Sequence, residues 1–423
     1  MCKITVKSRV FLLLALTLGC AIYIAAGTSI TPFHGDESTQ IFMSRDYAYL
    51  FIEGDLSRIA YHQPPLSAQE QELRLLNGTV AKNLFGLAWQ ISGFSVDEVN
   101  QQWDWGADWN YNQSTGHAPP DSMLQAARIP SMLLLIAGLI PMLYLGFQIG
   151  GWGGAAAAVI LYTLNPALLL NGRRAMMEGA LIVFSLLTVA AGVLWMRRHD
   201  WRSALLLGTA AGLAIASKHP AVFTVGVVFV VCGIDALIRR RGLLRLIAAA
   251  LTAGAVFFLL NPAWWSDPIG AAGELIRLRS NLLAGQAAAF GGYPSTVDAF
   301  GGFFRQTFGW MPQYFEIDSW SSYIGDQIAR YESSGLAGVI GGVMPFLVGL
   351  MAALGAFALI HRVGDRSVRM LIGAWAAVMF ASALISPLEW QRYYLSAILA
   401  VIVLSAGGIG WIVRAIHLYR SSR

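Results

Sequence analysis

Ten apolar runs divide this 423-residue chain, at about 10–30, 129–149, 152–171, 175–196, 203–217, 220–238, 243–262, 336–360, 370–388 and 393–413. A helix needs roughly 20 apolar residues to cross hydrocarbon. Inside lipid, each backbone polar group must find its partner within the protein, which leaves helices and closed barrels as the only spanning structures. Runs of this length predict an all-α polytopic membrane protein, a bundle of about ten transmembrane helices; 203–217 is the shortest. Composition agrees, because 56% of residues are hydrophobic and only 13% are charged, against about a quarter charged in soluble domains. No repeat, low-complexity tract or linker marks off a soluble unit, so residues 1–423 read as a single integral membrane domain. Lys3, Lys7 and Arg9 precede the run from Val10 to Ala26, as in a signal peptide. The run stays apolar through Ile30, however, so an uncleaved first helix is expected. Thr17-Leu18 before Cys20 fits a lipidation signal poorly.

Charge sets the orientation. Lys3/Lys7/Arg9, Arg197-Arg198 with Arg202, Arg239-Arg240-Arg241 with Arg245, Arg362 with Arg366 and Arg369, and Arg414 with Arg420 share one side of a ten-span topology. The positive-inside rule makes that side cytoplasmic. The net charge of +5 is used up in these clusters and is no nucleic-acid signal. Cys2, Cys20 and Cys232 match no metal spacing, so neither a disulfide nor a zinc site is expected. Two long segments then lie outside, 31–127 and 264–335. In the first, Leu73, Leu76, Val80, Leu84, Leu87 and Ile91 step by three or four, which predicts one amphipathic helix lying in the interface or packed beneath the loop. Trp103-Asp104-Trp105-Gly106-Ala107-Asp108-Trp109 is aromatic enough for headgroup depth. In the second, Asp267-Pro268 reads as a helix cap with proline in the first turn, ahead of a short helix carrying Leu275, Ile276 and Leu282.

The chemistry gathers on that outer side. Asp36 and Glu37 follow the first span, and acidic residues beside hydrocarbon are costly unless partnered or used. Asp36 can cap the helix that starts at Ser38, and a carboxylate so fixed can also take a proton from an attacking hydroxyl or amine. Arg128, Arg173, Arg174, Lys218 and Arg392 fall at outer ends of spans, against the cytoplasmic bias of the other basic residues. Each alone could snorkel to headgroups. Together they suit an anionic headgroup, since guanidinium matches phosphate oxygens in a fork and lysine adds a point charge. Glu178, one turn after Arg174, is placed to pair with it. His62 opens the stiff turn His62-Gln63-Pro64-Pro65-Leu66, where it either donates to substrate or satisfies the loop backbone. His34, His117 and His219 have no partner spacing and read as structural.

These motifs, in this order, resemble the GT-C superfamily. Within it the resemblance is to the family 39 glycosyltransferases that include protein O-mannosyltransferases and lipid A aminoarabinose transferases. The shared pattern is Asp36-Glu37 after the first span, the His62 to Leu66 turn, Ala127-Arg128-Ile129-Pro130-Ser131 opening the second span and Asn165-Pro166. It continues with Arg173-Arg174-Ala175-Met176-Met177-Glu178, Lys218, and Trp390-Gln391-Arg392-Tyr393-Tyr394 opening the last span. The family turn is His-Pro-Pro, and here Gln63 intervenes. The resemblance implies a sugar donor on a polyprenyl phosphate and transfer with inversion. It further implies Asp36 as the base or acceptor-orienting carboxylate with Glu37 in support, and the outer arginines Arg128, Arg173, Arg174 and Arg392 on the donor phosphate; Lys218, Glu178, His62 and Tyr393 stand beside them as candidate substrate contacts.

The expected partners are that donor, a lipid, glycan or protein acceptor, and membrane lipids, with no nucleic acid. The expected location is a bacterial plasma membrane, with the site on the extracytoplasmic side. No cofactor is expected; a divalent ion at Asp36 is possible, but a monophosphate leaving group beside several cations needs it less. The alternative is a lipid or glycolipid transporter or flippase. Such proteins often carry internal repeats and charges near mid-membrane, whereas here the ionisable residues collect at the outer ends.

Overall fold

The computed structural model describes residues 5–361 and 365–421, so Cys2, Lys3 and Arg362 lie outside the described residues. Among these the chain is helical, with no strand. Seven helices are long and apolar enough to cross a membrane: Val6–Ala26, Asp121–Leu164, Glu178–Arg198, Ala221–Arg239, Leu243–Leu260, Arg366–Leu384 and Leu395–Tyr419. Met344–Ile360 is a shorter apolar helix, and the 203–217 run lies in Trp201–Ser217. The 44-residue stretch Asp121–Leu164 takes in most of two predicted runs. Its backbone leaves the helical region at Gly151, with φ 64° and ψ −152°, a conformation open mainly to glycine. The second of those runs is then broken by Asn165, whose side chain accepts the Leu168 amide and starts the helix Pro166–Arg173.

Burial ranks the helices. Within Glu178–Arg198, 83% of the apolar window is inside the protein, against 11% for Val6–Ala26 and 17% for Leu243–Leu260. The first is the centre of the bundle, and the other two turn most of their surface outward, as lipid-facing helices do.

The two long loops fold onto each other. Phe33, Trp103, Trp109 and Met123 from the first share a core with Phe315 and Ile324 from the second. Trp103 and Trp109 are therefore interior residues, 1% and 9% exposed, rather than a headgroup belt, although Trp105 is 42% exposed. The predicted single amphipathic helix is two, Ala68–Leu76 and Thr79–Ile91. The break falls at Gly78, which passes so close to the backbone of Ser217 that a Cβ would overlap its carbonyl. The new direction turns Val80, Ala81, Phe85 and Trp89 into the core and leaves Ile91 exposed, so the helix packs beneath the loop. In the second loop the cap is as the sequence predicts. Asp267 accepts the Gly270 amide at 2.8 Å, and the helix runs on from Pro268 to Phe290, longer than expected.

Candidate active site

The helix Gly35–Met43 sets the geometry. It is capped by His34, not by Asp36: His34 Nδ1 accepts the Asp36 amide at 3.0 Å, and Glu37 Oε2 accepts the His34 amide at 3.1 Å. Neighbouring residues on a helix diverge by about 100°, so the two carboxylates part company. Asp36 lines a cavity of about 360 Å³ together with Glu178, Lys218, Arg279, Arg392 and Tyr393. Glu37 turns inward and is fully buried. It meets Arg128 through two parallel bonds, Nε to Oε1 at 2.8 Å and Nη2 to Oε2 at 2.7 Å, and Oε1 also accepts the Ala175 amide at 2.8 Å. Burial pushes this carboxyl up, but Arg128, Arg174 and that amide hold it below its ordinary value.

The cations expected to converge separate into two groups. Arg128, Arg173 and Arg174 are at most 1% exposed and do not line this cavity. Arg173 donates to the Ile24 carbonyl at 2.9 Å and the Tyr23 carbonyl at 2.8 Å, satisfying acceptors that the end of the first helix leaves open. It also reaches the Leu336 carbonyl at 2.6 Å. Arg174 donates to the carbonyls of Pro32 at 3.0 Å and Tyr314 at 2.9 Å. Arg128 adds the Thr31 carbonyl at 2.7 Å. These three arginines staple the exit of the first helix to the two loops. Arg128 also borders a separate depression of about 440 Å³, lined by Asp121, Gln125, Tyr323 and Arg330. The predicted Arg174–Glu178 pair does not form. Arg174 lies beyond the end of Pro166–Arg173 and before Glu178–Arg198, so no helical turn joins them.

Lys218 and Arg392 do line the cavity, each already paired. Lys218 donates to Glu178 Oε1, while Glu178 Oε2 is buried without a partner. Arg392 donates through Nη1 to Asp36 Oδ2 and places Nε 3.2 Å from Glu316 Oε1. The other Glu316 oxygen is 2.9 Å from His34 Nε2, and the His34 ring stacks on Phe315 at 4.4 Å. With Nδ1 accepting an amide, Nε2 carries the proton towards Glu316. Burial depresses the His34 pKa more than Glu316 raises it, so the ring is neutral near pH 7.

Sequence reasoning missed two residues here. Glu316 gives no local signal, since its partners lie far away along the chain. Arg279 does give one: it sits four residues after Leu275 and three before Leu282, on the predicted apolar stripe of its helix. Among the described residues, no partner inside the chain holds its guanidinium. His219, beside Lys218, also lines the cavity, with its pKa pushed down to about 4 by burial and by Arg279 and Lys218. Tyr393 lines it too and donates to Gln286 Oε1 at 3.2 Å. His62 does not: it donates to the Ser57 carbonyl at 2.7 Å and pins its own loop. No cluster of three metal-ligating side chains occurs among the described residues.

Comparison with known proteins places the fold. Residues 75–267 match the dolichyl-phosphate-mannose-protein mannosyltransferase family, a little under half of the chain. ArnT from Cupriavidus metallidurans, solved bound to undecaprenyl phosphate, superposes with TM-score 0.53 at 15% identity, covering 96% of this chain and 60% of that one. Its apo form gives 0.52 at 15% identity, over 95% and 59%. The chain has the GT-C fold. The archaeal oligosaccharyltransferase AglB from Archaeoglobus fulgidus, in complex with an inhibitory peptide and a dolichol-phosphate, shares the GT-C fold with TM-score 0.50 at 13% identity, over 97% of this chain and 51% of AglB. The chain thus spans about half to three-fifths of the length of these structures. No curated protein sequence matches it. The GT-C fold and the seven apolar helices make the chain an integral membrane protein.

Proposed function

We propose that this chain transfers a sugar from a polyprenyl-phosphate donor to an acceptor at the extracytoplasmic face of a membrane, probing donor and acceptor with its two loops and the bundle as one domain. The observation that carries the reading is the shared cavity: Asp36 from the first loop faces Lys218, Arg279 and Arg392 from three other parts of the chain. In this reading the donor slides in from the lipid and its phosphate meets those three cations. The acceptor hydroxyl or amine attacks the anomeric carbon as Asp36 takes its proton. The bond from that carbon to the phosphate oxygen breaks, with inversion, and the lipid phosphate leaves. Negative charge grows on the phosphate as the bond breaks, so cations fixed beside it favour the transition state over bound donor. Arg128, Arg173, Arg174 and Glu37 act beneath the site as its frame. The dolichol- and undecaprenyl-phosphate in the complexes with the same fold support a lipid-phosphate donor.

The test is to incubate purified protein with a panel of prenyl-phosphate sugars and candidate acceptors and to read product masses. Transfer that Asp36→Asn slows by about 10²–10⁴ while lipid binding persists is the expected result. Turnover retained by that variant, or no product from any donor, sinks the reading.

A further inference from the structure

The cavity holds a contradiction for any anionic ligand. Two of its three cations are already neutralised, Lys218 by Glu178 and Arg392 by Asp36. For Arg392 the difficulty is double, because its first partner is the carboxylate that must act as base. A carboxylate in contact with a guanidinium holds a proton less readily, so Asp36 in this arrangement is a masked base. Arg392 has a second carboxylate beside it, Glu316, in an ion pair at 3.2 Å from Nε, although that Nε makes no hydrogen bond. Glu316 is held from behind by His34 at 2.9 Å and is half-buried, with 14% of its side chain exposed. Its surroundings keep it ionised: burial pushes its carboxyl up, and His34 and Arg174 bring it below the ordinary value.

Resting on the donor reading above, we propose that Glu316 is a positioning residue that lets one guanidinium serve two partners in turn. Before the donor arrives, Arg392 lies between Glu316 and Asp36. When the phosphate enters, Arg392 stays anchored to Glu316 and turns its free edge from Asp36 to the phosphate. Asp36 is released as a base only once a donor is present. Two features fit this exchange. The Arg392 side chain is 16% exposed and Asp36 22% exposed, so both reach the cavity. The bond from the Asp36 amide to His34 Nδ1 holds the start of the helix while its side chain changes partner. The groups in contact with Asp36 are Arg392 and, at 3.9 Å, His34 Nδ1, and Glu72, Glu178, Lys218, His219, Arg279 and Tyr393 share the cavity it lines. Glu316 lies behind them, with Glu37, Arg128 and Arg174 buried on the far side of the helix.

Unmasking Asp36 raises its affinity for a proton, so donor-lipid binding at mildly acidic pH is linked to proton uptake. Undecaprenyl phosphate is the probe, titrated by calorimetry between pH 4 and 6 in buffers of different ionisation heat. Asp36→Asn serves as the blank for titration of the lipid phosphate itself, whose second pKa is about 6. Wild type should take up more protons than this blank. In Glu316→Gln, Arg392 has only Asp36 to lean on and keeps it masked. Uptake should drop to the blank, lipid affinity should stay within about threefold, kcat should fall about tenfold, and the acid limb of the rate profile should move to lower pH. Glu316→Asp should restore part of the uptake. Uptake in Glu316→Gln equal to wild type overturns the assignment, as does loss of lipid affinity in step with kcat, which is what a merely structural residue would give. Should wild type not bind undecaprenyl phosphate at all, the donor reading falls, and the exchange with it.

Discussion

Arg392 and Asp36, 356 positions apart in sequence, are joined by an ion pair at the wall of the cavity. One residue precedes the last helix and the other lies in the first loop, so the pair closes the bundle on itself beside the cavity. Replacing Arg392 with Gln removes the phosphate's forked partner and frees Asp36 at the same time. Lipid-phosphate binding should weaken by about tenfold, and Arg392→Lys should recover only part of it, because an ammonium cannot offer two parallel bonds. Asp36→Asn should do the converse. Turnover should fall by about 10²–10⁴, the usual worth of a positioned proton acceptor, with binding intact. Undecaprenyl-phosphate binding and turnover, measured on both variants, check this, and identical effects of the two would refute it.

Glu37 belongs to the frame, and its prediction concerns stability. Arg128→Met leaves a fully buried carboxylate without its cation and should cost about 3–5 kcal/mol, read as a lowered Tm in detergent. Glu37→Gln combined with Arg128→Met should cost less than the two single changes added together, since they share one interaction. Because the folded Glu37 pKa lies below its ordinary value of 4.5, the unfolded chain binds more protons there. Its stabilisation is therefore complete above about pH 4.5 and fades as the pH falls through the folded value. Glu37→Gln should flatten that part of the stability profile. A profile as steep as wild type would assign the acid sensitivity elsewhere.

Among the described residues Arg279 has no partner to release, so its loss should be felt by the ligand alone. Arg279→Met should leave Tm unchanged, as expected of a residue without buried bonds to break. It should weaken binding of undecaprenyl phosphate by about five- to tenfold, the worth of one charge-assisted bond. A drop in Tm without a change in lipid affinity would place Arg279 in the scaffold instead.

What the sequence made legible follows from distance along the chain. The Asp267 cap depends on neighbours within a few residues and is found where the pattern puts it, whereas the apolar run at 152–171 continues in sequence through Asn165, where the structure breaks it. Asp36 and Glu37 were recognisable as unusual, but not that one would face a cavity and the other a buried arginine, because that depends on helix phase after His34. Misplaced positive charge was a sound signal of purpose and a poor guide to which purpose. Arg128, Arg173 and Arg174 spend their donors on carbonyls and Glu37, a use that looks the same in sequence as a ligand site. Glu316 was invisible because nothing within its own segment needs it. The amphipathic stripe failed at Gly78 because a contact with Ser217, in another helix, outweighed a continuous local pattern.

Lys218 and Glu178 offer the sharpest separation of frame from function. Both line the cavity, and the lysine ammonium donates to one carboxylate oxygen while the other oxygen stays buried and unpaired. If the lysine serves a phosphate, the carboxylate competes with the ligand, and removing its charge should help binding. Glu178→Gln should therefore tighten undecaprenyl phosphate binding several-fold, about 1 kcal/mol, as for one partly screened charge. Lys218→Met should weaken it, and should also lower Tm, because Glu178 is 1% exposed and an uncompensated buried charge costs about 3–5 kcal/mol. The double change Glu178→Gln with Lys218→Met should then recover Tm but not affinity, since the carboxylate no longer needs a partner while the phosphate has still lost one. Recovery of affinity together with Tm would mean that the lysine acts only as the carboxylate's counter-ion, and that the phosphate is held by Arg279 and Arg392 without it.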